Sequence, residues 1–357
     1  MRSKRNWIGG AILLTLMAVT FWTLLRDQPL TQIKSVMGQL KPGWLVGGLC
    51  LMMLMLCSEA ACTRQILPRL GYRTTLRRCL GYSFVGFYFS AITPSATGGQ
   101  PAQIYCMTKD GVSAAHGTLN MLLLAICYQV TLLLFAGAAV LMFPWVLQDT
   151  GVGMILLLAF GVLVNGALTA GMLCLMFLPN AARRICAWVL SLLVKLHLVR
   201  DKAGATEKLE RQMADYRSGA ECLRRNPTLP FRLLACSTVQ LAALFSVPFM
   251  VYRAFGFTQY GVLELLGAQA LLTLAVGSLP LPGAVGASEG GFVRTFRLFF
   301  GAELVTPAVL VSRGISFYSF LVISGIVTLV IHLCIRRRRR AGIPALFPRP
   351  ARGTAPT

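Results

Sequence analysis

The chain has few acidic residues and few histidines. Only 12 aspartates and glutamates accompany 34 lysines and arginines, and the three histidines, His116, His197 and His332, lie far apart in the sequence. They have no neighbouring ligand residues at the spacing of a metal site, and neither an H-E-x-x-H nor a P-loop pattern occurs. From these absences we predict no catalytic residue, no metal and no cofactor.

The cysteines lack the pattern of a disulfide framework. Eleven of them are scattered along the chain, most of them inside apolar segments, and no two form a C-x-x-C pair. We interpret them as small apolar side chains.

Apolar sequence, in contrast, is abundant. Hydrophobic residues make up 56% of the 357 residues, and charged residues make up 13%. The hydrophobic residues fall into runs of about 20, the length that crosses a hydrocarbon core of about 30 Å. Six runs predict membrane spans, at 7–25, 43–62, 119–142, 152–178, 230–252 and 305–334. No small-x-small cleavage pattern follows the first run, so we expect a retained anchor there.

Two further apolar segments are interrupted by glycine and proline. Segment 79–118 contains Thr93-Pro94-Ser95-Ala96-Thr97-Gly98-Gly99-Gln100-Pro101, and segment 263–304 contains Leu279-Pro280-Leu281-Pro282-Gly283. Irregular backbone at membrane depth needs protein or water around it, because lipid cannot satisfy exposed peptide groups. The breaks therefore predict re-entrant hairpins. The alternative is two complete helical crossings in each segment, with glycines that serve helix packing.

The positions of the basic residues predict the orientation in the membrane. Five basic residues lie in 63–78, eleven in 179–232 and seven in 335–357, whereas 143–151 and 254–262 contain none. By the positive-inside rule the basic segments are cytoplasmic, which places both termini in the cytoplasm of a cell-membrane protein. The net charge of +22 then reflects topology, and we expect no direct binding of nucleic acid.

This orientation makes the two broken segments open from opposite faces of the membrane. The sequence thus predicts an all-α polytopic membrane protein with about six full transmembrane helices and two Gly/Pro-broken hairpins in an inverted arrangement, as in transporters with a midplane site. A single transmembrane domain would occupy 1–334, with a cytoplasmic helical insertion at 179–230. A basic cytoplasmic tail would follow at 335–357.

Ionisable residues inside these segments are candidates for function, because each one costs roughly 2.5–3.5 kcal/mol to insert. They are Glu59, Glu264, Glu289 and Arg313. We predict that Arg313 pairs with Glu289. This pair either holds a hairpin in place or leaves Arg313 to bind a lipid phosphate in bidentate fashion. Glu59 lies near the predicted cytoplasmic end of its span and can reach interfacial water.

Glycine pairs occur in both broken segments, at Gly98-Gly99 and Gly290-Gly291. Glycine permits close backbone approach and a positive φ, and helix N-termini that face a cavity can present N–H groups to an anion. Two interpretations remain open at these positions, a site for an anionic headgroup and close packing of helices.

The motifs Thr93-Pro94-Ser95-x-x-Gly98-Gly99-Gln100-Pro101 and Pro280-x-Pro282-Gly283-x-x-Gly286-x-x-Glu289-Gly290 resemble those of the lysylphosphatidylglycerol synthase transmembrane family, also called flippase-like. The likeness covers nearly the whole chain. Family members include the membrane half of the multiple peptide resistance factor, whose aminoacyltransferase domain would follow the last span. Only residues 335–357 follow it here.

The sequence departs from the family pattern at two positions. Members often have an acidic residue after the first Gly-Gly, where this chain has Gln100, and often have arginine before the motif glutamate, where this chain has Ser288. We therefore expect a headgroup that differs from the best-known one of the family.

The resemblance implies a membrane lipid translocase acting on a phospholipid, with aminoacylated phosphatidylglycerol among the candidates. One alternative is a phosphatidylglycerol lysyltransferase that needs a separate aminoacyltransferase protein as its partner; another is a non-transporting membrane scaffold. The expected partners are membrane phospholipids. Together with Arg313, the resemblance predicts these lipid-binding residues: Gly98, Gly99, Gln100, Pro282, Gly283, Gly286 and Glu289.

Overall fold

The structure is a computed structural model that describes residues 40–93, 96–148, 151–177, 225–277 and 285–340, together with isolated positions between these ranges. All secondary structure in these ranges is helical. We number the helices α1 (Pro42–Ile66), α2 (Leu76–Ala91), α3 (Gly99–Asp110), α4 (Ala114–Met142), α5 (Trp145–Gln148), α6 (Gly151–Phe177), α7 (Thr228–Phe245), α8 (Val247–Ala254), α9 (Val262–Val276), α10 (Ala287–Arg313) and α11 (Ser319–Arg340). A turn of 3-10 helix, Leu67–Leu70, extends α1, and a π-helix, Gly314–Tyr318, joins α10 to α11.

Five helical stretches in the described ranges are long and apolar enough to cross a membrane. They are Pro42–Leu70, Ala114–Met142, Gly153–Cys174, Thr228–Ala254 and Ala287–Arg338. Each of them contains or overlaps one of the predicted spans, so the chain is an all-α polytopic membrane protein. The remaining predicted span, 7–25, and most of the predicted insertion at 179–230 lie outside the described residues.

The two broken segments form helical hairpins with short arms. Hairpin 1 consists of α2 and α3, with 16 and 12 residues, and hairpin 2 consists of α9, with 15 residues, and the first part of α10. At 1.5 Å per residue, arms of this length reach about 18–24 Å, short of the roughly 30 Å of a hydrocarbon core. The lengths favour re-entrant hairpins over complete crossings.

Gly301 separates the second arm of hairpin 2 from the last span. Its φ of 74° and ψ of 172° interrupt α10, so residues 287–300 form the arm and the last span begins after the glycine. This backbone region is essentially restricted to glycine. The predicted span at 305–334 is therefore part of a longer helix. That helix continues through the five arginines to Arg340, beyond the predicted start of the tail.

Helix packing is reciprocal between the two halves. The last helix, α11, packs on α2 of hairpin 1, and α9 of hairpin 2 packs on α4, the span that follows hairpin 1. The helices that precede the hairpins, α1 and α7, pack on each other. Each hairpin thus contacts the span that follows the other hairpin. This is the exchange expected of two halves in an inverted arrangement.

Hairpin 1 is tied to the end of the last helix by an ionic cluster around Asp110. The Asp110 carboxylate accepts a hydrogen bond from the Tyr82 hydroxyl at 2.6 Å and forms ion pairs with Arg78 and Arg338, each at 3.4 Å. Asp110 is 7% exposed. At least one arginine of the basic cluster 336–340 therefore has a partner within the protein.

Candidate functional site

The tips of the two hairpins meet beside the π-helix. Ala91 at the end of α2, Val285 just before α10 and Phe317 of the π-helix form one buried apolar cluster, with Ile92, Tyr318 and Leu321 packed against it. The tips thus pack together one arm's length from the outer end of each hairpin. Single turns of π-helix are frequent at functional sites.

Arg313 lies at this junction and forms the predicted ion pair with Glu289. The Nε of Arg313 donates to Oε1 of Glu289 at 2.7 Å, and the side chains are 16% and 2% exposed. The guanidinium also lies 4.6 Å from the ring centroid of Phe317, a cation–π contact. Arg313 follows Gly301 by a distance of about 18 Å along the helix. The pair is confirmed, while a role in lipid binding stays a prediction.

Glu289 also holds the backbone at the tip of hairpin 2. Its Oε2 accepts a hydrogen bond of 2.6 Å from the N–H of Gly286, the residue that caps α10. Gly286 has a φ of 87°, a conformation that residues with a side chain rarely adopt. One carboxylate thus joins the start of the arm to the last span.

A cavity of about 190 Å³ opens next to Arg313. Its wall combines polar groups with apolar side chains of α7 to α10. The polar wall residues are Gln269, Thr273, Ser288, Ser312, Arg313 and Ser316. The volume is below the roughly 300–1,000 Å³ of pockets for drug-sized ligands. It suits a headgroup better than a whole lipid.

Gly98 and Gly99 serve the close packing of hairpin 1. A Cβ on Gly99 would lie 2.0 Å from Oγ of Ser90 and 2.7 Å from the carbonyl oxygen of Gly86, both on the opposite arm. Gly98 has a φ of −82°, so it does not use the conformational freedom of glycine. In hairpin 2 the second glycine of the pair, Gly291, is similarly close to Leu272 of α9. Packing therefore accounts for Gly98, Gly99 and Gly291, and headgroup binding at the glycine pairs stays untested.

Of the remaining predicted residues, the structure describes Gln100 and Glu264. Gln100 is exposed at the start of α3, directly after the tip of hairpin 1. Pro282 and Gly283 lie outside the described residues. Glu264 accepts a hydrogen bond of 2.6 Å from the N–H of Gly261 and caps α9, so it has a structural role at the helix start.

Two arginines on hairpin 2 were not predicted from the sequence as site residues. The exposed positions of its second arm are Gly290, Arg294 and Arg297, followed by Gly301. This face contains no exposed apolar residue, whereas α11 exposes Val322, Ile323, Ile326, Leu329, Val330 and Leu333. A surface in contact with lipid tails needs apolar side chains, so the arginine face is suited to water or headgroups. The i, i+3 spacing of Arg294 and Arg297 was the available signal.

Hairpin 1 has a comparable exposed face on α3. Gln100, Pro101 and Tyr105 are exposed on this helix, Thr97 is exposed just before it, and the Lys109 ammonium lies 4.6 Å from the ring centroid of Tyr105. The second arms of both hairpins thus carry polar or basic groups from their outer ends toward the tips.

Residues 286–290, Gly-Ala-Ser-Glu-Gly, have the G-x-S-x-G spacing of a serine nucleophile turn, which was also missed in the sequence. That pattern requires a strand before the turn and a histidine beside the serine. In the part of the chain that the structure describes, Ser288 is the second residue of α10, no strand precedes it, and it has no hydrogen-bonded histidine. The spacing therefore reflects the capped start of α10.

Comparison with protein families gives one match. The family described as lysylphosphatidylglycerol synthase TM region matches residues 6–325, nearly the whole chain. No curated protein matches the chain. Consistent with its long apolar helices, the chain belongs to the lysylphosphatidylglycerol synthase transmembrane family, membrane proteins of lysylphosphatidylglycerol metabolism or transport.

Proposed function

We propose that this chain is a translocase for phosphate-bearing lipids, whose headgroups pass between the two hairpin tips beside Arg313. The observation that carries the proposal is a largely buried arginine in the wall of a cavity beside hairpin 2. Its guanidinium lies over Phe317, which packs with the tips of both hairpins. Transporters with broken helices bind their substrates at such junctions.

Arg313 provides the chemistry for a phosphate group. A guanidinium presents its N–H donors in one plane that matches two phosphate oxygens, and Glu289 fixes that plane through Nε. The pair is neutral overall, so an arriving phosphate meets a site that is not already strongly cationic. This weak net charge favours release as well as binding.

The exposed faces of the second arms provide the route to the cavity. Arg294 and Arg297 lead from Gly301 toward the tip of hairpin 2, and Gln100 and Tyr105 occupy the corresponding face of hairpin 1. With the predicted orientation, one face opens outward and the other toward the cytoplasm. A headgroup follows these polar faces while its acyl chains remain in lipid.

The test is lipid movement in liposomes that contain the purified chain. Labelled phosphatidylglycerol, lysylphosphatidylglycerol and a glycolipid without phosphate are incorporated in both leaflets, and an impermeant quencher reports transfer to the outer leaflet. We expect the two phospholipids to move and the glycolipid to remain. The loss of one charge-assisted hydrogen bond, about 1.5–3 kcal/mol, predicts that Arg313→Lys slows transfer about tenfold or more.

The matched control is Arg225→Ala, because Arg225 forms an exposed ion pair with Glu221 away from the hairpins. This variant should transfer lipid at the wild-type rate. Equal movement of the glycolipid, or full activity of Arg313→Lys, would contradict phosphate recognition. No movement of any lipid would favour the alternatives, a scaffold or, if cells expressing the chain make lysyl-lipid, a lysyltransferase component.

A further inference from the structure

A second polar cluster lies away from Arg313, between the two halves of the molecule. Its centre is the carboxylate of Glu59 on α1. Gln103 of hairpin 1 donates from Nε2 to Oε1 of Glu59 at 3.0 Å, and Gln240 of α7 donates from Nε2 to Oε2 at 3.4 Å. Each carboxylate oxygen therefore has an amide donor from a different element.

This cluster is set inside the helix bundle. Gln103 and Gln240 are 6% and 9% exposed, and Ser83 of α2, also next to Glu59, is 1% exposed. Seven residues of α1 follow Glu59 up to Ile66, a distance of about 10 Å along the helix. Glu59 itself is half-buried, and the structure adds two amide contacts to it, while its predicted contact with interfacial water stays a prediction.

Among the described residues, no arginine, lysine or histidine forms an ion pair with Glu59. Two titratable groups that interact electrostatically with it are Tyr128 of α4 and Cys62 of α1, both of them ordinarily neutral at pH 7. An ionised carboxylate without a cation is unfavourable inside a membrane protein. Taking up a proton removes this charge.

The partners of Glu59 suit both of its protonation states. The ionised carboxylate accepts from the two amide N–H₂ groups, as in the structure. A protonated carboxyl needs one acceptor, and the buried Oε1 of Gln103 has no hydrogen-bond partner of its own. Turning the Gln103 amide over presents its oxygen to the new O–H. An arginine at either position would instead hold the carboxylate ionised.

We propose that Glu59, Gln103 and Gln240 form a proton-binding site that exchanges with the predicted cytoplasmic side and changes the contacts of hairpin 1 and α7 with α1. Uptake adds one proton from water to the Glu59 carboxylate, and release returns it. In the protonated state one carboxyl oxygen becomes a donor, so one of the two amide contacts must change. The inference does not depend on lipid translocation.

Infrared difference spectroscopy of the full chain in lipid nanodiscs tests the site directly. Spectra are recorded between steps of pH for wild type, for Glu59→Gln and for Glu303→Gln, in which an exposed glutamate is changed. We expect a reversible C=O band of a protonated carboxyl that is absent only from Glu59→Gln. Gln103→Leu should shift the frequency of this band, since it removes the partner of the carboxyl.

Two results would overturn the proposal. In the first, the spectra of wild type and Glu59→Gln are the same at every pH at which the protein is folded. In the second, the Glu59 signal responds to Na⁺ concentration and not to pH, which would make the cluster a sodium site. Lipid transfer by the same preparations is measured separately, so a failed proton site remains distinguishable from a failed translocase.

Discussion

At the residue scale, the site depends on Glu289. Its two oxygens are both engaged, one by Arg313 and one by the N–H of Gly286. This carboxylate fixes the orientation of the guanidinium and the start of α10 together. A side chain with such a position does not need to touch a lipid to be essential.

The ion pair predicts a large loss of stability when one partner is removed. In Glu289→Gln the guanidinium of Arg313 remains buried without its carboxylate, a change that typically costs about 3–5 kcal/mol. We expect a correspondingly lower free energy of unfolding in detergent. The exposed Glu303 supplies the control, because Glu303→Gln should change stability by less than about 0.5 kcal/mol.

A double-mutant cycle separates the pair from its surroundings. The double variant with Glu289→Gln and Arg313→Leu should lose much less free energy of unfolding than the sum of the losses in the two single variants, because it contains no unpaired charge. Additive losses would mean that the two side chains do not interact.

Sequence reasoning identified this pair because an intramembrane arginine requires a partner and Glu289 was the acidic residue on the nearest broken segment. It could not distinguish anion binding from helix packing at the glycine pairs, because both require a residue without a side chain. The contacts of Glu59 could not be predicted from the sequence either. Gln103 and Gln240 lie far from Glu59 in the sequence, and only the fold brings them together.

At the element scale, the hairpins depend on how closely their arms approach. Gly99 and Gly290 occupy the two glycine pairs but have different surroundings. A Cβ on Gly99 would collide with the opposite arm, whereas a Cβ on Gly290 would meet nothing within 4 Å.

This difference predicts opposite effects of the same substitution. Gly99→Ala should lower the free energy of unfolding by about 1–3 kcal/mol, since the arms must separate. Gly290→Ala should be neutral or stabilise the helix by up to about 1 kcal/mol. Thermal unfolding of both variants measures these changes in stability. Equal losses of stability in the two variants would argue against close packing at Gly99.

The elements themselves could be predicted to a large extent. Apolar runs of membrane length marked the long helices, and glycine with proline marked both hairpins. The boundaries could not be predicted in the same way. Gly301 divides a continuous apolar pattern only through its backbone conformation, and the arginines after 335 continue a helix that apolar periodicity alone would end.

At the scale of the whole molecule, the predicted inverted arrangement requires a defined topology. The positive-inside rule places Arg73 in the cytoplasm and Gln259 outside, and both side chains are exposed. In a cysteine-free background, an impermeant thiol reagent should label Gln259→Cys in intact cells. Arg73→Cys should be labelled only after the membrane is opened. The reverse pattern would invert the orientation, and labelling of both would reject it.

Passage of lipid headgroups between the hairpin tips is the step that we propose for translocation. Ala91 and Val285 belong to the same buried cluster at those tips, 4% and 1% exposed, and cysteines are placed at both positions for joining by a short, reducible thiol cross-linker. The measurement is transfer of labelled phosphatidylglycerol in liposomes by this double variant, before cross-linking, after it and after reduction. We expect cross-linking to lower transfer to the rate of protein-free liposomes and reduction to restore it. Transfer that continues at the same rate with the tips joined would mean that headgroups do not pass between them.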